Sequence, residues 1–270
     1  MEELRRLLPG GVAGVRKTLP FGLAAIDSHL PEGGLTCGAL HEVVPEAAGV
    51  MSQGNMPQGN TSRGNLSQNN VPAALGFIAA ILARLASSSP VFLVIPPYGL
   101  RRYGPPARFY GHGLRALGLD PGRLILIETA SRKETLWAME EALRSQAPAA
   151  VVGLIDKLDL RLSQRLQLAA VEAGLPLLLL RPAASLESSA AATRWRIEPA
   201  SAARDRFGLI VHARWHLLLE RCRNGRTGEW TVEYDHVAHR FSLAAALADP
   251  ARARGTNQNN EKSAAGSNRA

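Results

Sequence analysis

Four apolar runs of five to seven residues, separated by stretches of helical length, constrain this 270-residue chain more than any other feature. They are Val91–Ile95 (VFLVI), Leu124–Glu128 (LILIE), Ala149–Ile155 (AAVVGLI) and Leu175–Leu180 (LPLLLL). A strand apolar on both faces has no side to give to water, so it belongs in a parallel sheet covered by helices. The intervening stretches supply the helices. Ser131, with Glu134 three residues later, forms a capping box that opens a helix to about Gln146. Leu160–Glu172 and Ala73–Ala86 are two more, and Pro106–Leu117, closed by Gly118 and Pro121, is a fourth. Ala39–Val44 (ALHEVV) places a strand ahead of them all. After Arg181 the pattern changes to strand-like alternation in Thr193–Glu198, Arg214–Arg221, Glu229–Tyr234 and Arg240–Leu243. Asn224-Gly225-Arg226-Thr227-Gly228 lies between two of these as a turn, which predicts an antiparallel hairpin. The expected fold class is α/β: a mostly parallel sheet flanked by helices, with an antiparallel C-terminal hairpin region.

Two segments fall outside this pattern. Residues 51–70 read MSQGN MPQGN TSRGN LSQNN, four copies of a five-residue unit. Their Gln, Asn, Gly and Ser content cannot bury enough apolar area to offset the entropy of ordering, so a flexible surface insertion is expected. Residues 251–270 are similar in kind and predict a disordered tail. The organisation expected is thus an N-terminal arm (1–18), a core (19–250) interrupted at 51–70, and the tail. With 46% apolar residues, the composition argues against wholesale disorder. No apolar run approaches the ~18–20 residues of a membrane span, and MEELRRLLPGG has no signal-peptide h-region. Two cysteines, Cys37 and Cys222, cannot make a disulfide framework, and each reads as a buried thiol. A cytoplasmic protein is expected.

Several patterns touch on chemistry. Gly11–Thr18 (GVAGVRKT) has Arg16 where a phosphate loop needs its second glycine, no strand before it and Pro20 after it, so a plain loop is favoured. His41-Glu42-Val43-Val44-Pro45 lacks the last histidine of a zinc helix, and His212 and His216 have no third ligand. Arg101, Arg102, Arg108 and Arg115 are interleaved with Tyr98, Tyr103, Phe109 and Tyr110. Such a stretch clamps phosphates and stacks on bases, or forms a protein surface, or is a solvated face over packed aromatics. Arg214, Arg221, Arg223 and Arg226 form a second basic cluster open to the same readings. The net charge of +8 points towards anionic partners, but half of it lies in 49–70 and the tail, leaving the core +4. Weak or indirect DNA contact is the most this supports.

Residues 22–43 (GLAAIDSHLPEGGLTCGALHEV) resemble the segment that leads into the phosphate loop of RecA-type recombinases. Those proteins continue G-P-E-S-S-G-K-T, whereas this chain continues Val44-Pro45-Glu46-Ala47-Ala48-Gly49-Val50-Met51. Pro45, Glu46 and Gly49 are kept, but Val50 replaces the lysine and Met51 the threonine. A phosphate clamp and a magnesium ligand are missing with them. Pro96-Pro97-Tyr98 follows the next strand in place of the catalytic acid, and Gly153 occupies the place of the second aspartate, with Asp156 near the next helix start. The resemblance therefore implies a RecA-like core with a vestigial loop, no cofactor and no hydrolysis. LPFGLAAIDSHLPEGGLTCGALHEV, ALGFIAAILARL, YGHGLRALGLDPGRLILI, AATRWRIEP and LLLERCRNGRTGEW most resemble the ImuA family. Together with AAVVGLIDKL and LPLLLLRP these span most of residues 19–243. That resemblance implies a non-catalytic accessory or scaffold in damage-induced (SOS) translesion DNA synthesis. Its implied partners are an ImuB-type polymerase-like protein, an error-prone DnaE-type polymerase and the RecA filament. Two alternatives are kept: a SulA-type SOS division inhibitor, disfavoured by chain length and the retained GGL…EV segment, and an active DNA-dependent ATPase, opposed by Val50 and Met51.

Overall fold

The apolar runs assemble as the parallel half of a single sheet. The computed structural model describes residues 17–46, 70–97, 110–181, 188–204 and 206–244. In it β3 (Leu40–Pro45), β4 (Val91–Ile95), β5 (Leu124–Glu128), β6 (Ala150–Leu154) and β7 (Leu177–Leu180) run parallel in the order β3-β7-β6-β4-β5. On the other flank of β3 lies β8 (Thr193–Arg204), also parallel to it, with His41 opposite Thr193. From there β9 (Ile210–Cys222), β10 (Gly228–Asp235) and β11 (Arg240–Leu243) extend the sheet by antiparallel hairpins to nine strands. A separate two-stranded ribbon pairs β1 (Thr18–Leu19) with β2 (Leu35–Thr36). The α/β class and the mixed sheet are as the sequence implies.

Helices cover both faces. α1 (Ala24–Asp27) is one turn; α2 (Val71–Leu82) follows β3, and the short α3 (Gly111–Ala116) follows β4. α4 (Arg132–Arg144) is opened by the expected box: Ser131 Oγ accepts from the Glu134 amide at 3.2 Å, while Glu134 accepts from the Ala130 amide at 2.7 Å. α5 (Leu160–Ala173) is capped by Asp159, which accepts from the Leu162 amide, and ends on Gly174 in the left-handed region (φ 66°), where glycine carries no Cβ penalty. One core, under α2, gathers Phe21, Phe77, Trp195, Trp215, Tyr234 and Phe241, with neighbouring ring centroids 5.1–6.5 Å apart. The other, under α4 and α5, packs Met139, Leu143 and Leu166 on Val151, Leu177 and Leu179.

Five details differ from the expectation. LILIE is apolar like the central strands, yet β5 lies at the sheet edge with β4 its only strand neighbour among the described residues, and Ile125 and Leu126 are 45% and 44% exposed. Composition reports affinity for a sheet; topology decides which strand is outermost. β8 and β9 run well beyond the alternating stretches, because Ala200↔Arg214 through Arg204↔Ile210 continue the hairpin with irregular register. α3 begins at Gly111, and what precedes Tyr110 in the expected Pro106–Leu117 helix lies outside the described residues. Cys37 and Cys222 are only half-buried, because each sits at the rim of the sheet. Finally, Thr18, assigned to the N-terminal arm, is already paired in β1, which leaves Gly11–Thr18 no helix to open. Residues 51–70 are outside the described residues except Asn70, and the tail is outside them entirely.

Candidate functional site

β3 delivers Pro45 and Glu46 to the C-terminal edge of the parallel strands, the edge at which open α/β sheets bind ligands. Glu46 is tied down three ways. Its amide donates to Ile197 O at 2.8 Å, its carboxylate pairs with Arg196 of β8, and its carbonyl accepts from the Asn70 side chain, at the cap of α2. Arg196 also reaches Glu220 of β9 through Nε at 3.1 Å. The Arg196 guanidinium is thus shared between two carboxylates. Gly49, Val50 and Met51 lie outside the described residues.

The remaining positions of an ATPase centre can be followed strand by strand. Beyond β4, Pro96 is buried, and the carbonyl of Ile95 is held by the Thr129 hydroxyl at 2.9 Å, which also contacts Thr135. On β6, Gly153 has no room for a side chain: a Cβ there would come within 2.9 Å of Leu179 Cδ2 and against Met139 Sδ. Asp156 is nearly buried, but the cap of the next helix is Asp159. Beneath the edge, Glu42 is wholly buried between Arg181 (Nη1–Oε1 2.7 Å) and Arg194 (Nε–Oε2 2.6 Å). Beside it His41 bonds Thr193 Oγ1 at 2.8 Å and Thr36 O at 3.0 Å, and burial pushes its pKa down to about 4. No local pattern in the sequence marks the Glu42–Arg181–Arg194 cluster, whose members come from three strands or their ends.

The histidines and cysteines join no metal site: no group of three or more His, Cys, Asp or Glu among the described residues is placed to hold an ion. His216 instead sits between Glu229 (2.7 Å) and Glu198 (3.7 Å). Burial raises the pKa of both thiols, with Lys17 opposing it at Cys37.

The two basic clusters fare differently. Arg101, Arg102 and Arg108 lie outside the described residues, and Arg115 stands exposed on α3. The second cluster divides, because Arg214 faces Glu233 across the β9–β10 pair. Arg221, Arg223 and Arg226 surround the β9–β10 turn, donating to the carbonyls of Ser189 (2.6 Å), Ala190 (3.0 Å) and Ser28 (3.2 Å) respectively. Arg221 and Arg223 face α5 across a groove made of two adjoining cavities of about 600 and 520 Å³, which share Gln167 and Arg223. Leu160, Leu168 and Val171 stand exposed on α5. The spacing of these residues in Leu160–Glu172 was available as a signal, since a solvent-facing helix side rarely needs three aliphatics.

The chain is 33% identical over 239 residues to the Protein ImuA of Caulobacter vibrioides, covering 83% of this chain and 87% of the relative, with the same figures for two strains. No family profile matches the chain. A solved KaiC-like protein of Pyrococcus horikoshii aligns over 85% of this chain and 100% of its own, at 12% identity and a TM-score of 0.48. No helix among the described residues is long and apolar enough to cross a membrane.

Proposed function

The chain belongs to the ImuA family, and from that membership we propose that it is a non-catalytic scaffold of the damage-induced (SOS) translesion synthesis complex. In this reading it works in the cytoplasm with an ImuB-type polymerase-like protein and an error-prone DnaE-type polymerase, and contacts the RecA filament through protein rather than through ATP chemistry. The observation that carries the reading is the identity maintained over four-fifths of the chain. The corner at the end of β3 supports the non-catalytic part. A phosphate loop needs converging amides and a cation, and here the Arg196 guanidinium is already shared between Glu46 and Glu220. On β6 the space for an aspartate is taken by Met139 and Leu179.

A tagged full chain recovered from cells after DNA damage tests the proposal. Co-recovery of both polymerase components, together with loss of damage-induced mutation on deleting the gene, is the expected result. Recovery of a cell-division GTPase without either polymerase refutes it. Titration with ATP and magnesium tests the absence of nucleotide chemistry: micromolar binding abolished by changes in 44–51 would overturn it.

A further inference from the structure

We propose that the groove between α5 and the β9–β10 turn is a docking site for a short, acidic, amphipathic segment of a partner protein. This deepens the scaffold reading, on which it rests for the setting in which that partner is met. Leu160, Leu168 and Val171 are 45%, 59% and 55% exposed. At about 100° per residue they fall, with Gln164 and Gln167, inside an arc of about 100° on the outer side of α5. That side of the 14-residue helix is about 21 Å long, enough for three to four turns of a second helix or about six residues of extended chain.

Charge selects the occupant. Arg221 and Arg223 spend their bonds on the carbonyls of Ser189 and Ala190, and no described carboxylate pairs with either. By contrast Arg194, Arg196 and Arg214 on the same antiparallel half each hold a glutamate. The groove's other charges are Lys17 and Glu32 at its far end, so its lining carries +2. Aliphatic residues along one wall, and along the other cationic heads with no described carboxylate partner, fit a segment with leucine-like anchors every three or four residues and carboxylates on one flank. A nucleic-acid strand would leave the aliphatic stripe unused, and no described aromatic side chain lines the groove to stack on bases.

The test places a photoreactive p-benzoylphenylalanine at position 168 of the full chain, with position 133 on α4 as control, in cells exposed to DNA damage. The expected result is a crosslink, absent at 133, that mass spectrometry maps to one segment of a co-recovered polymerase-complex protein, with aliphatics at helical spacing and a net negative charge. A synthetic peptide of that segment then binds the purified chain in fluorescence anisotropy. Leu168→Asp and Arg223→Glu each weaken it at least tenfold while far-UV circular dichroism shows both variants folded at the assay temperature. Exchanging the peptide's glutamates for lysines restores binding to the Arg221→Glu/Arg223→Glu chain. Crosslinks to DNA, to residues of this chain or to a second copy, equal yield at 133, or no crosslink at all overturns the proposal. So does binding unchanged by either substitution. If these variants keep full damage-induced mutagenesis while gene deletion abolishes it, the groove assignment fails and the scaffold reading stands.

Discussion

Replacing Glu42 by alanine should be among the most damaging single changes in the described core. The carboxylate is wholly buried, with Arg181 Nη1 2.7 Å from one oxygen and Arg194 Nε 2.6 Å from the other. The Arg181 side chain has no exposure and that of Arg194 only 10%, so neither guanidinium can turn to water when its partner goes. Removing one partner of a buried ion pair costs about 3–5 kcal/mol, because the charge left behind keeps its desolvation penalty. A chain of this size has a total margin of about 5–15 kcal/mol and loses about 2–4 °C per kcal/mol, so a fall of about 6–20 °C in Tm is expected. Far-UV circular dichroism during urea and thermal unfolding measures it. Glu42→Gln, which keeps the shape and an acceptor oxygen, should lie between wild type and alanine. The triple change Glu42→Leu, Arg181→Met, Arg194→Met removes both signs of charge and should restore stability most of the way. A loss under about 1 kcal/mol for Glu42→Ala, or a triple variant as unstable as the single one, would refute the reasoning.

Three further outcomes follow from the same core. His41 is neutral in the folded chain: its Nε2–H donates to Thr36 O, and its Nδ1 accepts from the Thr193 hydroxyl, which accepts from Trp195 Nε1–H. Its folded pKa of about 4 lies below the ordinary 6.5, so the unfolded chain binds more protons between those values. Stability should therefore be full above pH 6.5 and fall by about 3 kcal/mol as pH drops towards 4. His41→Asn should remove that slope from unfolding curves at pH 4.5–7; equal wild-type stability at pH 5 and 7 contradicts it. Gly153→Ala should lose about 1–3 kcal/mol by crowding Met139 and Leu179, and Met139→Ala in the same chain should recover part of it, giving a favourable coupling in a double-mutant cycle. Ser131→Ala should cost about 1 kcal/mol by freeing the Glu134 amide, and Ser131→Asp should not, read from the same unfolding curves.

The parallel half was legible because its information is local. Each apolar run states its own burial, and Ser131 and Glu134 state a helix start within four residues. What depends on partners far along the chain was not legible. β5 and β4 have the same kind of composition, and only the order β6-β4-β5 makes one central and the other an edge. The extra length of the β8–β9 hairpin lies in residues 199–213, whose alanines and serine carry little alternation. At the candidate site, Val50, Met51 and Gly153 could be picked out by alignment to a familiar pattern. The tie from Glu46 to Arg196 crosses 150 residues, and nothing near either residue announces it.

The arginines show why the overall charge misleads. Along β8, β9 and β10 the period-2 alternation turns Trp195, Trp215 and Tyr234 into one core, which leaves charged residues together on the opposite face. That face is filled by cross-strand pairs: Arg196 with Glu220, His216 between Glu198 and Glu229, and Arg214 with Glu233. Its positive charge is taken up by carboxylates on neighbouring strands, which helps hold the strands in register. The scheme breaks at one place. Between Arg194 and Trp195 the β8–β9 register shifts, so that Leu219 faces Trp195 while Arg221 faces Arg194 and Glu220 is passed over. Two arginines set opposite each other cannot pair. Arg194 turns to Glu42, and Arg221, with Arg223 two residues on, is left to backbone carbonyls at the mouth of the groove. In unbroken register Glu220 would face Arg194, and Arg221 would fall opposite Thr193, on the side of the sheet that carries Trp195. The bulge thus keeps Arg221 on the polar side of the sheet, at the mouth of the groove, in keeping with the frequency of bulges at sheet rims.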